Sequence, residues 1–540
     1  MKIINSIIII VIISVVAGAC KKLDIAPTDR FTDITYWTTT EKADRVVNTA
    51  YSQISHPGFF FFNEGLSDNA YNSRGDVEGV ASIAAGTSDA SLSRYKNEWN
   101  WHYTGIKTCN IFLENVDRVP NMDAALKERR KAEIRFIRAY HYFMLYTWYG
   151  DVPLFEKDIT LEESKTIART PRAQVVDFVL KELDAAANVL PLNTSLRTED
   201  RGRATKGAAV ALKARALLYE GRWAETIAAC EQLIDKNAGT YSLFSSYEGL
   251  FLPQNEYNSE VIFDLGYVPE LRAYNTFFDF APISVGARLN NYAPTQELVD
   301  SYLMQNGKTI RENGSGYDEN NPYVNRDPRL GYTIVYHLYQ WKKPDGSTKT
   351  IYIKPGSDPD QANKFDEYGG TITSSTGYYL RKYYDPTSST NFLSGLNLIM
   401  IRYADVLLMY AEAKNELGQF DESIWNNTIR ALRSRAGFTD PGALSYNTAS
   451  TQADNRNTIR NERRVELAME GLRVFDIRRW KTAEVVLNGW AHGAKYGQAD
   501  VDNGYVRVNS RQFDPSKHYL WPVPRDERNI NSNLTQNPGW

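Results

Sequence analysis

Disulfides are not what holds this chain together. Its 540 residues contain three cysteines, Cys20, Cys109 and Cys230. The last two lie inside helical patterns, TGIKTCNIFLENV and ETIAACEQLI, where a buried thiol is the expected role. Charge of one sign is missing as well: 62 Lys+Arg stand against 65 Asp+Glu, so no basic face for nucleic acid is implied. The six histidines, His56, His102, His141, His337, His492 and His518, never fall three or four apart, which excludes a zinc site built by local spacing. A glycine-rich phosphate loop, an HExxH helix and a GxSxG elbow are all absent. Carboxylates are plentiful, so a glycosidase pair assembled by the fold stays open.

Long apolar runs are confined to the first twenty residues. MKIINSIIIIVIISVVAGAC has one early lysine, a run from Ile7 to Val16 broken only by Ser14, and small residues before Cys20. The run is too short to span a bilayer well and reads as an export signal. Ala17-Gly18-Ala19-Cys20 has the form of a bacterial lipobox, with Ala17 where Leu is usual. Cleavage would leave residues 1–19 as signal peptide and Cys20 as a lipidated first residue. Each buried acyl methylene is worth about 0.8 kcal/mol, enough for a multiply acylated cysteine to hold the protein on a membrane.

What the chain does have is aromatic side chains, 12% of the total, with 34 Tyr and 11 Trp. Flat apolar faces with polar edges suit the recognition of sugars or peptides. It also has one dominant helical stretch, Leu398 to Trp480. Ile401, Ala404, Leu408 and Ala411 recur at steps of three and four, and apolar residues fill the other faces, so a helix buried on most sides is expected. Arg402, Asp405 and Glu412 in that apolar run need partners. Glu462, Glu466 and Glu470, interleaved with Arg463, Arg464 and Arg473, supply them. Glu466 and Glu470 could instead form an acid/base pair or share a metal, but the interleaved arginines favour a structural ion network.

In chain order, a short tether follows Cys20, and Thr38 to Ile54 reads as a Thr-capped helix. Ser55 to Ser93 loses periodicity and is rich in Gly, Ser, Asn and Asp, too long for a mere connector. Helices return at Arg94 to Val119, at Met122 to Tyr149, and after Pro171. Thr205 to Asp235, hinged at Glu220-Gly221-Arg222, has the small-residue spacing of a tetratricopeptide unit, and Leu407 to Ala436 repeats the scheme. Between these hairpins, EVIFDLGYVPE and YTIVYHLYQW read as short strands among Tyr-, Asn-, Gly- and Pro-rich loops. The chain is expected to end extended along the helical frame. The whole predicts a mostly α protein, a helical-hairpin scaffold with long, loop-rich, partly β insertions, divided into residues 20–239 and 240–540.

Several segments together have a familiar form: CKKLDIAPTDRFTDITYW, AEIRFIRAYHYFMLYTWYGDVPL, APTQELVDSY with Asn306-Gly307, NRDPRL, GYYLRKYYDP, MIRYADVLLMYAEAKNELG, RNERRVELAMEGLRVFDIRRW and LWPVPRDERNINSNLTQNPGW. In this order they resemble the SusD/RagB family of outer-membrane nutrient-binding lipoproteins, nearly end to end. The resemblance implies a lipid-anchored, surface-exposed protein that acts as the lid of a TonB-dependent, SusC-like barrel. It implies capture of oligosaccharide, or of peptide in some members, with no cofactor and no catalysis, and it assigns no residue to a metal. The quoted motifs belong to the scaffold and do not name the ligand.

Carbohydrate binding is the leading reading, with aromatic rings on sugar faces and Asp, Asn and Arg on hydroxyls. The candidates are Asp68, Asn69, Tyr71, Arg74 and Trp101 from the first loop-rich zone, and Tyr267, Tyr274, Tyr317 and Trp341 from the second. Trp99 and Tyr103, four apart on a helix, read as core, and Phe59 to Phe62 as buried beneath the loop or against the barrel. A peptide-binding member of the same family, an all-α glycoside hydrolase and a purely structural adaptor are the competing readings.

Overall fold

The computed structural model describes residues 36–73, 79–387 and 392–540. The signal peptide, Cys20 and Arg74 lie outside them. No helix among the described residues is long and apolar enough to cross a membrane.

Helices carry the frame. α1 (Thr40–Ser52) starts where the Thr39 side chain accepts the Lys42 N–H, and it buries Ala43, Val47 and Ala50. Pro57, preorganised for a first helical position, opens the short α2 (Pro57–Phe62), whose four phenylalanines are all buried. At about 1.5–3 kcal/mol for each buried Phe side chain, this turn is an anchor for the loop that contains it. α3 (Ser93–Asn115) and α4 (Ala124–Tyr149) pack together, α4 packs on α5 (Arg172–Val189), and α6 (Lys206–Tyr219) joins α5 to α7 (Trp223–Ile234). The α6–α7 hairpin turns at Gly221, whose φ of 67° is left-handed backbone that glycine adopts freely. The series continues from α7 to α8 (Tyr403–Glu416), and α8 packs on α9 (Gln452–Glu466). One large apolar core runs through the described chain, with satellite clusters beside it.

Strands are short, and those of the described residues form two-stranded sheets only. Ala70–Asn72 pairs with Tyr292–Pro294, Val261–Leu265 with Leu398–Arg402, Tyr339–Lys342 with Thr348–Ile351, and Gly489–His492 with Arg507–Arg511, all antiparallel. The second pair corrects the expected helix: Leu398 to Arg402 is extended, because Val261–Leu265 offers it a ladder, and α8 begins only at Tyr403. Ser55 to Ser93 is less irregular than expected, holding α2, Ala70–Asn72 and a helix at Val80–Ala84. The expected extended ending also contains a short helix, α10 (Arg525–Ile530), which starts immediately after Pro524.

The charges in the buried segments find the partners the sequence asks of them. Arg402 bonds Glu466 at 2.6 Å, Glu470 at 2.8 Å and Glu260 at 2.7 Å. Asp405 bonds Arg463 and Arg215, and Glu412 bonds Arg479. Glu470 lies beyond the end of α9, in a turn where Met469 and Gly471 have φ of 64° and 76°. Arginines around Glu466 hold its carboxyl far below the usual carboxylate range. A carboxylate fixed in that state is no general acid at neutral pH, so the network is a brace.

Candidate functional site

A groove opens where α2, α3 and two loops of the second half of the chain meet. At its foot, the His56 Nδ1 accepts the Gly58 N–H at 3.1 Å and caps α2. This fixes Phe59, which has the Arg94 guanidinium 4.4 Å from its ring centre; Arg94 is held by Glu98 and Asn63. Trp101, on α3, stands 5.7 Å from His56 and 5.9 Å from Phe59, with ring planes at 72° and 81°. Trp101 is only partly buried, and along the same face of α3 lie the exposed Asn97, Asn100 and Thr104. Positions 97, 100, 101 and 104 form one stripe on a helix.

Two concave spaces adjoin at His56 and Trp101. One, of about 400 Å³, is lined by Gln53, Phe59 and the α3 stripe. The other, of about 350 Å³, is walled by Tyr267, Arg272, Tyr274, Asn275 and Leu393. Tyr267 and Tyr274 meet edge to face at 4.8 Å, and Arg272 lies 4.7 Å over the Tyr267 ring while bonding the Gly266 carbonyl. Burial pushes the Tyr267 hydroxyl up to about 12, so it remains a neutral donor and acceptor. Tyr274 exchanges two backbone hydrogen bonds with Ser394, and Gly395 sits where a Cβ would lie 2.2 Å from Pro269, so the two loops form one wall. Above it, Val268, Leu271, Phe392 and Leu393 are exposed, Leu271 at 88%.

Three of the nine sequence candidates, Trp101, Tyr267 and Tyr274, are therefore brought together. Others are spent on the frame, which corrects their assignment to a ligand. Asp68 is buried between Arg464 at 2.9 Å and Arg473 at 2.8 Å. Asn69, fully buried, donates to Glu64 and accepts from Arg464. Trp341 has 0% exposure, covered by Arg381 at 4.6 Å and Tyr384 at 4.8 Å, so neither ring face is left for a sugar. Tyr71 is in the strand Ala70–Asn72, and Tyr317 lies under Arg326; neither lines the groove. The sequence reading did not select His56, Asn97, Asn100, Arg272 or Asn275, although the α3 stripe is visible in the sequence as one tryptophan among Asn and Thr at helical spacing. Phe59, read as buried, is buried and forms the floor. Among the described residues no group of three or more His, Cys, Asp or Glu is placed to hold a metal ion.

Fold and groove together define a mostly helical protein with an aromatic, amide-rimmed cleft. The model of the SusD family matches residues 259–540, and a second model, described as starch-binding and associating with the outer membrane, matches residues 26–218. SusD-like protein P25 of Formosa agariphila is 27% identical over 467 residues, covering 80% of each chain. The starch-binding protein SusD of Bacteroides thetaiotaomicron is 30% identical over 180 residues, 32% of this chain and 30% of that one. A crystal structure of a SusD-like carbohydrate-binding protein from Bacteroides fragilis superposes with a TM-score of 0.84 at 30% identity, covering 93% of this chain and all of the other. The chain belongs to the SusD family.

Proposed function

We propose that this protein captures oligosaccharide at the cell surface, without altering it, in the groove around Trp101. Lipid on Cys20 would hold it to the outer membrane, and a SusC-like, TonB-dependent barrel would receive the ligand. The observation that carries the reading is the half-open Trp101 ring set in a stripe of exposed amides. A sugar ring needs both things there: an apolar face to stack on and donors and acceptors at its edge. The Tyr267–Tyr274 wall and Arg272 supply a second polar and aromatic flank. The carbohydrate-binding relative from Bacteroides fragilis supports the ligand class. The exposed apolar rim at Val268, Leu271, Phe392 and Leu393 supports docking of a partner beside the groove.

The test is titration calorimetry of the soluble protein against a glycan panel and a peptide panel, with product analysis for bond cleavage. A glycan that binds should lose about two- to tenfold in affinity on Trp101→Ala, the worth of one stacked ring at about 0.5–1.5 kcal/mol. Binding of peptides alone, cleavage of a glycan, or a glycan bound equally well by Trp101→Ala would each overturn the proposal.

A further inference from the structure

A second cavity, of about 340 Å³, lies on the adjoining face of α3, with Asn100 on the ridge between it and the groove. Trp99 belongs to it and Trp101 to the groove; two residues apart on a helix, they point about 160° away from each other. The apolar part of the lining is aromatic and branched, Trp99, Tyr103, Phe155, Leu161, Ile167 and Leu534, and polar side chains such as Asn100, Thr160 and Asn531 complete it. Tyr103 and Phe155 stack at 5.8 Å with 16° between their planes, and the Tyr103 hydroxyl is tied to the Pro153 carbonyl at 2.9 Å. Opposite walls are pinned together, since the Asn531 side-chain amide donates to the Ser164 and Ile167 carbonyls. The cavity is thus built before anything enters it, and it falls within the usual size range of small-molecule sites, about 300–1,000 Å³.

Two features have no use within the fold. Leu161 is at the mouth and 70% exposed, an apolar side chain with little to cover it. Glu527, on α10, is half-buried in the lining, and its carboxylate has neither a hydrogen bond nor an ion pair among the described residues. Lys96, the neighbouring cation, is already engaged by Asp526 at 2.7 Å. Burial raises the Glu527 carboxyl above its ordinary range, against the pull of Lys96. The other rim charges, Lys107 and Asp158, face each other at 3.8 Å. An aromatic and branched wall beside one carboxylate that lacks a hydrogen-bond partner matches a ligand of complementary make-up, and charge-assisted hydrogen bonds are the strong ones in such a setting.

We infer that this cavity is a binding site, separate from the Trp101 groove, for a primary amine on an aromatic or branched apolar body, free or as the first residue of a peptide. The amine would bond Glu527, while the body fills the space between the Tyr103–Phe155 stack and Leu161.

The full chain carrying Cys20→Ala, titrated calorimetrically with 2-phenylethylamine, should bind it saturably. The neutral isostere 2-phenylethanol should bind at least about tenfold more weakly, because its hydroxyl can donate one hydrogen bond but brings no positive charge to the carboxylate. Glu527→Gln and Leu161→Asn should each weaken the amine about tenfold, whereas Trp101→Ala should leave it unchanged and so separates this site from the glycan groove. Comparison with Phe-Gly-Gly-amide names the source: tighter binding points to a peptide, weaker binding to a free amine, and either supports the site. No saturable binding of 2-phenylethylamine, equal binding of the alcohol, or full affinity in Glu527→Gln overturns the inference.

Discussion

Replacing Glu466 by Gln removes one negative charge from a buried cluster that is otherwise balanced. Five cations, Arg329, Lys382, Arg402, Arg433 and Arg435, are linked to five anions, Glu260, Asp327, Glu462, Glu466 and Glu470. Glu466 itself accepts from Arg402 at 2.6 Å, Arg329 at 2.8 Å, and Arg435. Breaking a buried pair costs about 3–5 kcal/mol, because the partner charge is left uncompensated. Each of the three arginines keeps another carboxylate, Glu260, Asp327, Glu462 or Glu470, so the lower end is expected, about 3 kcal/mol. Against a total stability of roughly 5–15 kcal/mol that is a large loss. In a chain of this length it should lower Tm by roughly 3 °C in differential scanning calorimetry.

The pH dependence makes this prediction sharper. Burial lowers the Lys382 ammonium to about 8, although Glu470 opposes the shift. A lysine whose folded pKa lies below its unfolded value of about 10.4 is held against its preference while protonated, so stability rises with pH between the two values. An extra positive charge beside it lowers the folded value further and moves that rise to lower pH. The deficit of Glu466→Gln should therefore be largest near pH 6 and should shrink as the pH rises towards about 8. A Tm within about 1 °C of the parent at pH 7, or a deficit of constant size from pH 6 to 9, would refute the account of these charges as one balanced brace.

Gly105→Ala should destabilise although Ala ordinarily gains about 1 kcal/mol over Gly in a helix. Its Cβ would lie 2.0 Å from Nε2 of the fully buried His141, so α3 and α4 must part, at about 1–3 kcal/mol by urea unfolding. His492 holds Glu297 at 2.7 Å and Asp502 at 3.0 Å, while Arg507 also bonds Asp502; the Glu297 hydrogen bond is the main reason its pKa is raised. Its contribution is full below about 6.5 and is lost as pH rises through the higher folded value. Amide exchange in Gly489–His492, corrected for its intrinsic pH dependence, should accelerate over that window in the parent and not in His492→Gln. Cys20→Ala should move the protein from the membrane fraction to the soluble one, and retention in the membrane would count against lipid anchoring.

The brace was legible because of a local rule. A charge inside an apolar run must be compensated, and the segment from Glu462 to Arg473 is dense in the charges that do so. The strand Leu398–Arg402 was not legible, since its run of Leu, Ile and Met satisfies helical and extended patterns equally. What decides between them is Val261–Leu265, more than a hundred positions away. Asp68 and Asn69 failed as candidates for the same reason. A polar pair in a loop looks available for ligand until Arg464 and Arg473, about four hundred residues on, are seen to occupy it.

α3 shows where the boundary runs. Its sequence contains two tryptophans, and composition gives no reason to prefer either. Spacing does: Trp101 shares its stripe with Asn97, Asn100 and Thr104, whereas Trp99 shares its side with Tyr95, His102 and Tyr103. A tryptophan flanked on its own face by side chains that prefer water, and that do not help bury it, has its ring left for something else. Spacing therefore selects Trp101 from the sequence alone, and Asn97 and Asn100 with it. It does not find Tyr267, Arg272 or Asn275, because the wall they form depends on the turn from Val268 to Arg272 and on the Tyr274–Ser394 bridge. Helix faces are written in a periodicity of three and four; the meeting of two loops is written nowhere in either loop, and that half of the groove had to be seen.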